Sequence, residues 1–377
     1  MNKIRVLHIA LDDKFFDSVF KRFNEDKRLE NQAIIVPSNE EGLLKYVKTN
    51  EGVSIVTYCH LIESVNKLEF DCVFFHSLSV KMWNLVLALP KDKIVIWWAW
   101  GYDTYSSFGL LKPFIKVDLY KPLTGKLLSG RHNQFLTFGI KCLETLESLK
   151  YVAIRNNVLK RVDFFQPVNC DEYLYMQRNK AFRAKEFYYP NSFSFSTDIE
   201  TEVPSQGNII VGNSATYSNN HMDILSFLLK AKLQNRNIYL PLSYGESDYV
   251  DTIESSFSIP DCNTICMKDF LPRDEFFKFF SGCSYMVSGC MRQQSMGNIS
   301  FALSKGIKVF CFKDSIVYKY LKGIGFTVSP IEGIDERSFN TPLNLEERRL
   351  NAEVFVKEMK RRHDIYESFI RLFESFE

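Results

Sequence analysis

The stretch NIIVGNSATYSNNHMDIL, residues 208–225, decides the fold of the second half of the chain. Its opening apolar run predicts a short buried strand that ends at Gly212, and its last residues follow a helical pattern. Small polar residues fill the turn between them. A strand that passes through a short turn into a helix is the building block of parallel α/β sheets.

Apolar runs of the same kind alternate with amphipathic segments along the rest of the chain. They lie at 4–10, 33–37, 53–58, 72–77 and 94–100, and again at 237–244, 263–270, 284–289, 307–312 and 325–329. This alternation favours two doubly wound, Rossmann-like α/β domains. Residues 191–207, rich in Ser, Pro and Thr, predict a linker. We therefore expect domains at 1–190 and 208–340, followed by a helical segment at 341–377.

The composition is that of a folded globular protein. Of the 377 residues, 46% are hydrophobic and 24% are charged, which argues against a disordered chain. The formal net charge of +2 is too small for a nucleic-acid-binding protein, so we expect no nucleic acid partner. The longest apolar stretches, such as 94–101, fall far short of the roughly 20 residues that a spanning helix needs, and we expect no signal peptide.

Several motifs of common α/β enzymes are missing. HIALDD (8–13) stands where a dinucleotide-binding protein would have GxGxxG, and neither GxxxxGK[ST] nor HExxH occurs. A dehydrogenase, a P-loop NTPase and a zinc peptidase are therefore disfavoured. The Asp12–Asp13 pair is more typical of a helix N-terminus than of a metal site, so we expect neither a bound metal nor a cofactor.

Two turns in the second half carry residues suited to an anionic or hydroxyl-rich ligand. The first turn, after Gly212, supplies Asn213, Ser214, Ser218, Asn219 and His221. Free backbone amides at the start of the following helix favour a phosphate there. The simpler alternative is that Ser218 or Asn219 caps this helix.

The second turn follows the strand at 284–289. It carries Arg292, Gln293 and Gln294, and the helix after it holds Gly297 and Asn298. A guanidinium beside a helix N-terminus can clamp a diphosphate, because its charge, its paired donors and the helix dipole act on one anion. The alternative is a surface or interdomain salt bridge.

Two further segments lie in the first half. At the end of the strand at 94–100, Trp100 is suited to form the wall of a sugar site and Asp103 to act as a general base. The alternative is an aromatic core corner in which Asp103 caps the next turn. The basic amphipathic stretch 107–132 fits an anionic bilayer surface, but a core-packing helix with a solvated lysine face has the same pattern. Its cations are Lys112, Lys116, Lys121, Lys126 and Arg131.

Three motifs together resemble one enzyme family. They are WxWGxDxY at 98–105, GNSxxxSNxH at 212–221 and RQQxxG at 292–297, and the likeness extends to His8, Asp13 and Tyr244–Gly245. The ordered set resembles the dTDP-4-acetamido-4,6-dideoxygalactose:lipid II transferases, glycosyltransferase family 56, which build enterobacterial common antigen.

The resemblance implies a GT-B glycosyltransferase whose two Rossmann-like domains face each other across a cleft. It implies transfer of 4-acetamido-4,6-dideoxygalactose (Fuc4NAc) from dTDP to a polyprenyl-pyrophosphate-linked saccharide. The enzyme would be cytoplasmic and peripheral on the inner face of the cytoplasmic membrane. Two departures from the family pattern leave the identity of the donor open: the sequence has GNSA where GNSG is expected, and CM precedes RQQ. The alternatives are transfer of another sugar or group in capsule or O-antigen assembly, and a non-catalytic sugar-nucleotide-binding protein.

The resemblance also assigns roles to individual residues. Those expected to bind the donor are Gly212, Asn213, Ser214, Asn219, His221, Tyr244, Gly245, Gln293, Gln294, Gly297 and Asn298. Those expected to contact the acceptor are His8, Trp100 and Tyr105. Arg292 is expected to neutralise the departing nucleotide, and either Asp13 or Asp103 to activate the acceptor hydroxyl without a metal.

Overall fold

The computed structural model describes residues 3–37, 42–105, 118–131, 152–189 and 207–374. The strands in these ranges are β1 Ile4–Leu11, β2 Leu29–Val36, β3 Val53–Ile55, β4 Cys72–Phe75, β5 Ile94–Trp98, β6 Phe164–Gln166, β7 Lys185–Glu186, β8 Ile209–Val211, β9 Asn237–Pro241, β10 Asn263–Met267, β11 Tyr285–Ser288, β12 Lys308–Cys311 and β13 Ser329–Pro330. The helices are α1 Phe16–Glu25, α2 Leu61–Val65, α3 Trp83–Ala88, α4 Gly101–Tyr105, α5 Pro122–Arg131, α6 Val152–Arg161, α7 Cys170–Met176, α8 His221–Leu228, α9 Ser247–Ser256, α10 Arg273–Ser281, α11 Met296–Ser304, α12 Ile316–Ile324 and α13 Leu345–Glu374.

Internal contacts divide the chain into two units. The first comprises Met1–Lys116, Ile140–Ser194 and Met359–Glu377, and the second comprises Val117–Gly139 and Phe195–Glu358. These units differ from the expected domains in two places. Residues 117–139 belong to the second unit rather than to the first, and α13 contributes its first part to the second unit and its last part to the first.

The first unit is built on a seven-stranded parallel sheet. Its strand order is β3-β2-β1-β4-β5-β6-β7, so β1 and β4 are neighbours although two strands separate them in sequence. The chain winds from β1 to one edge and then from β4 to the other edge, as in doubly wound folds. The α/β class predicted from the alternating pattern is confirmed.

Apolar side chains cover both faces of this sheet, because successive residues of a strand point to opposite sides. On one face Leu7 of β1 packs with Trp83 and Trp97. On the other face Val6 of β1 packs with Phe74, and Phe369 from α13 completes that layer. The two buried faces explain why the strands are apolar throughout rather than alternating.

The second unit repeats the design with six parallel strands. Their order is β10-β9-β8-β11-β12-β13, and the winding reverses between β8 and β11. Turns that follow neighbouring strands diverge at such a reversal, and ligands of α/β proteins bind at the carboxyl ends of the strands there. The two turns singled out in the sequence, 212–221 and 289–295, follow β8 and β11.

Helix α5 is tied to α8 of the second unit. The Asp223 carboxylate accepts hydrogen bonds from the backbone N–H groups of Leu123 and Thr124, each at 2.9 Å, and from the Thr124 hydroxyl at 2.7 Å. A carboxylate in this position caps the positive end of α5. Leu127 and Leu128 pack against the core. The described part of the basic stretch 107–132 therefore matches the alternative of a core-packing helix.

Two further features concern membranes and metals. Along the described ranges, none of the helices combines the length and the apolar character that crossing a bilayer requires. The same ranges hold no group of three His, Cys, Asp or Glu side chains that is arranged for a metal ion. Metal-independent activity stays a prediction.

His8 lies in the core of the first unit instead of at its surface. The ring is fully buried against Phe20 and Phe23. Its Nε2 donates to Asn31 Oδ1 at 3.1 Å, which leaves Nδ1 to accept from Nε2 of His76 at 3.0 Å. This position argues against the predicted contact of His8 with an acceptor.

Burial keeps both imidazoles of this pair neutral. It lowers the pKa of His8 to about 4, and it holds the pKa of His76 well below its ordinary value, with a further lowering by His8. The unfolded chain, in contrast, binds protons at these residues below a pH of about 6.5. The stability that the neutral pair contributes is therefore complete above pH 6.5 and is lost as the pH falls.

We expect the first unit to lose about 2 kcal/mol of unfolding free energy per buried histidine between pH 7 and pH 5. All four tryptophans lie in this unit, so denaturant melts followed by tryptophan fluorescence report on it alone. His76→Gln should be less stable at pH 7 and lose less stability on acidification. His363→Gln, at an exposed position, should behave as the wild type. Equal acid sensitivity of His76→Gln and wild type would contradict the neutral pair.

Candidate functional site

The first turn of the site starts at Gly212, where β8 ends. Gly212 has a φ of +70°, and a Cβ at this position would lie 2.6 Å from Nε2 of His221. Only glycine fits both the left-handed backbone and the close approach of the ring. His221 is fully buried, and burial lowers its pKa to about 3. His221 therefore supports the turn from inside the protein, which argues against the predicted direct contact with a donor.

Asn219 holds this turn in shape. Its Nδ2 donates to the backbone oxygen and the hydroxyl of Ser214, both at 3.0 Å, and to Oγ1 of Thr216 at 2.9 Å. Its Oδ1 accepts from the backbone N–H of Asn213 at 3.2 Å. The Asn219 side chain is fully buried. We therefore assign Asn219 a positioning role: it fixes the backbone of the half-buried Asn213.

The turn after β9 is joined to the turn after β8. Ala215 donates its N–H to the Tyr244 carbonyl at 2.8 Å, and Glu246 donates its N–H to the Ala215 carbonyl at 2.9 Å. Gly245 has a φ of +123°, and a Cβ there would lie 2.5 Å from the Ala215 carbonyl. Asn213 Nδ2 donates to the Tyr244 hydroxyl at 2.9 Å. The predicted pair Tyr244–Gly245 thus lies beside the first turn.

The turn after β11 is joined to the first turn by two residues. Asn220, in the left-handed region with a φ of 53°, donates from Nδ2 to the Gly289 carbonyl at 2.8 Å. Gln294 donates to Oγ1 of Thr216 at 3.2 Å and accepts from the Ser218 hydroxyl at 2.8 Å. A Cβ on Gly289 would lie 2.2 Å from the Asn219 carbonyl, so this glycine is required for the approach of the two turns.

Sequence reasoning missed Asn220 and Gly289. Gly289 follows β11 as Gly212 follows β8, and this repeated position was the available signal. Asparagine is one of the few residues that enter the left-handed region readily, so the Asn219–Asn220 pair before a helix was a second signal.

Arg292 and the start of α11 provide positive charge at this edge of the sheet. Arg292 donates from Nη1 to the Gln293 side-chain oxygen at 3.2 Å, and no carboxylate of the described residues pairs with it. Helix α11 follows Ser295, whose φ is 61°, and its first turn lacks a side-chain cap. Gly297 is exposed and has open space where a Cβ would lie, and Asn298 is half-buried beside it. Gln293 itself is buried.

An unpaired guanidinium next to an uncapped helix N-terminus is an arrangement that binds anions. The second unit therefore brings most of the predicted donor residues to one edge of its sheet. Of these, Asn213, Tyr244, Gln294 and Gly297 retain exposed surface, while Asn219, His221 and Gln293 are buried behind them.

In the first unit, the two candidate bases, Asp13 and Asp103, have different environments. Asp103 is buried, and its carboxylate accepts from the Leu78 N–H at 2.8 Å, from Nε1 of Trp97 at 2.8 Å and from the Trp100 N–H at 2.6 Å. Burial raises its pKa to about 7, although these donors oppose that rise. The carboxylate joins the turns after β4 and β5, so we assign it a structural role.

Asp13 is half-buried at the end of β1 and has capacity for another partner. Its Oδ1 accepts from the N–H groups of Phe15 and Phe16, at 2.7 and 3.2 Å. Burial raises its pKa to about 6, against the lowering by these two donors. A carboxylate with a pKa close to neutrality is suited to take a proton and release it again.

The predicted acceptor residues have different environments. Trp100 is half-buried against Phe15, with ring centroids 5.2 Å apart, and its Nε1 has no hydrogen-bond partner in the described ranges. The Tyr105 hydroxyl donates to Glu172 at 2.6 Å. Ser77, after β4, was missed by sequence reasoning: it has a φ of 109°, a strained value of the kind that clusters at functional sites.

Solved structures share this architecture. The α,α-trehalose-phosphate synthase (UDP-forming) of Burkholderia vietnamiensis matches with a TM-score of 0.61 and 8% identity, over 98% of this chain and 100% of that chain. The enzyme of Burkholderia multivorans matches with a TM-score of 0.59 and 8% identity, over 100% and 99%. The sucrose-phosphate synthase of Thermosynechococcus elongatus matches with a TM-score of 0.57 and 8% identity, over 99% and 98%. At these identities the likeness shows the fold alone.

The two parallel α/β units have the GT-B fold. Residues 122–323, more than half of the chain, match the family described as 4-alpha-L-fucosyltransferase glycosyl transferase group 56. The chain belongs to this family and is therefore a glycosyltransferase. The resemblance recognised from the three sequence motifs is confirmed.

We expect Gly289→Ala to destabilise the second unit by about 1–3 kcal/mol, because the added methyl group meets the Asn219 carbonyl. Gly297→Ala should leave stability unchanged or raise it by up to about 1 kcal/mol, since its Cβ meets open space in a helix. Thermal unfolding of the two variants by calorimetry provides the comparison. A Gly289→Ala protein as stable as Gly297→Ala would show that the turns do not approach as described.

Proposed function

We propose that this glycosyltransferase moves Fuc4NAc, or a related deoxyamino sugar, from a dTDP-sugar to a polyprenyl-pyrophosphate-linked saccharide in cell-surface polysaccharide biosynthesis. The observation that carries the proposal is the Arg292 guanidinium, which pairs with no carboxylate of the described residues, beside the uncapped start of α11. A nucleoside diphosphate is the leaving group of such a transfer and supplies the matching negative charge.

In the proposed reaction, the carboxylate of Asp13 takes the proton of the acceptor hydroxyl as that oxygen bonds to the anomeric carbon. The bond from this carbon to the diphosphate oxygen breaks, and the electron pair leaves with dTDP. Arg292 and the first amides of α11 stabilise the charge that develops on the diphosphate. Donors fixed in advance stabilise such charge more than mobile solvent does.

Part of the proposal concerns a membrane surface. A polyprenyl-linked acceptor would require peripheral contact with the inner face of the cytoplasmic membrane. Lys126 of α5 is exposed and open to an anionic headgroup, whereas Nζ of Lys121 pairs with Asp314 at 2.8 Å. Lys112 and Lys116 lie outside the described residues, as does the side chain of Arg131. Among the described residues, we therefore propose a bilayer contact for Lys126 alone.

Two alternatives use the same binding edge. In the first, the enzyme prefers a nucleotide other than dTDP and transfers a different sugar or another group in capsule or O-antigen assembly. A non-catalytic sugar-nucleotide-binding protein would bind the nucleotide without transfer. Melting temperatures in the presence of dTDP, UDP, GDP and CMP separate the donors, because a ligand that binds only the native state raises the melting temperature. A transfer assay with radiolabelled sugar then separates the enzyme from the binding protein.

We expect Arg292→Ala to lower kcat about 100-fold or more, through the lost stabilisation of the departing diphosphate. The dTDP-induced rise of the melting temperature should also shrink. Arg273→Ala, which removes an exposed arginine at the start of α10, is the matched control and should retain both properties. Near-normal turnover by Arg292→Ala would refute its role.

We expect Asp13→Asn to lower kcat by at least 100-fold while dTDP binding is kept, because an amide oxygen still accepts from Phe15 and Phe16 but cannot take a proton. In the wild type, kcat should fall as the pH drops below about 6, where Asp13 becomes protonated. Asp92→Asn, at an exposed position, is the control. A wild-type profile for Asp13→Asn would remove Asp13 as the base.

A further inference from the structure

Tyr120, within the stretch 107–132, is a residue of the second unit to which the proposed reaction gives no role. It precedes α5 and is 45% exposed. Its hydroxyl has no hydrogen-bond partner among the residues that the structure describes. A half-exposed tyrosine of this kind offers a donor to a ligand.

The backbone on both sides of Tyr120 is fixed by one buried side chain. Asn220 accepts at Oδ1 from the Lys121 N–H at 2.8 Å, and its Nδ2 donates to the Leu119 carbonyl at 3.1 Å. The same Nδ2 donates to the Gly289 carbonyl in the turn that leads to Arg292. Asn220 therefore ties the Tyr120 backbone to the anion-binding turn itself.

Lys121 anchors the segment a second time. Its Nζ pairs with the Asp314 carboxylate at 2.8 Å and lies 4.6 Å from the centroid of the Phe312 ring, just beyond the end of β12. Asp223 holds the next turn through Leu123 and Thr124. The backbone on both sides of Tyr120 is thus held by hydrogen bonds, while its side chain is partly exposed.

The charged groups around the Tyr120 hydroxyl belong to two different turns of the site. Burial raises the pKa of Tyr120, the Glu246 carboxylate raises it further, and the Arg292 guanidinium lowers it. Glu246 follows Gly245 in the turn after β9, and Arg292 lies in the turn after β11. The hydroxyl accordingly lies within electrostatic reach of the group that we assign to the diphosphate.

We propose that Tyr120 is a positioning residue of the donor site whose hydroxyl donates a hydrogen bond to the diphosphate of the nucleotide sugar. This inference rests on the proposed function, since it requires a nucleoside diphosphate at Arg292. Tyr120 belongs to the segment 117–139, which interrupts the first unit in sequence but is part of the second unit. The proposal adds this segment to the donor site. A hydrogen bond to a charged acceptor contributes more than one between neutral groups.

The test compares Tyr120→Phe with wild type by isothermal titration calorimetry, using dTDP and thymidine as probes. We expect Tyr120→Phe to bind dTDP about tenfold more weakly with an unchanged melting temperature of the free protein. Binding of thymidine, which lacks phosphate, should be unaltered. Tyr318→Phe, on α12 of the same unit, is the matched control and should bind both probes as the wild type does.

The outcomes distinguish this inference from the proposed function. If wild type binds dTDP and Tyr120→Phe binds it equally well, the role of Tyr120 is wrong while the proposed function stands. Equal weakening for dTDP and thymidine would place the contact on the nucleoside and overturn the proposed contact with the diphosphate. If wild type binds none of dTDP, UDP, GDP and CMP, the proposed function fails, and this inference fails with it.

Discussion

Two adjacent buried amides, those of Asn219 and Asn220, hold together the carboxyl edge of the second sheet. Asn219 bonds within the turn after β8, and Asn220 joins that turn to the Gly289 carbonyl and to the backbone around Tyr120. An unsatisfied buried polar group costs about 1–3 kcal/mol. Each amide therefore holds in place the backbone groups to which it is hydrogen-bonded. The half-buried residues of the site, Asn213 and Arg292 among them, are placed by these bonds.

Much of the fold could be predicted because parallel strands that are buried on both faces must be apolar along their length. Each predicted apolar run overlaps a strand, although the run at 325–329 shares only Ser329 with β13. Strands β6 and β7 were missed: β6 covers only Phe164–Gln166, and β7 is the polar pair Lys185–Glu186 at the sheet edge. The expected boundaries differ for another reason. The capping of α5 by Asp223 joins residues 100 positions apart, and no local pattern reports such a contact.

The site was predictable where local backbone chemistry demanded a residue type, and less so where burial decided the role. Gly212 and Gly245 follow strand ends, and both have the positive φ that such turns require. Asp13 and Asp103 are equivalent by sequence, since both are carboxylates near strand ends. Their difference comes from burial and from two donors to Asp103, the Trp97 indole six positions before it and the Leu78 N–H 25 positions before it, in the turn after another strand. His8 likewise carries a reactive side chain that three-dimensional packing removes from reach.

The path of α13 has a consequence for synthesis on the ribosome. The Tyr366 hydroxyl donates to Asp26 across 340 positions of the chain, and Phe369 beside it covers one face of the first sheet. The ribosome must make the entire second unit before that face can be covered. Until then the nascent first unit exposes apolar surface of the kind that chaperones bind and that promotes aggregation. Translation that stalls after the first sheet is made and before α13 is made would leave one face of that sheet uncovered.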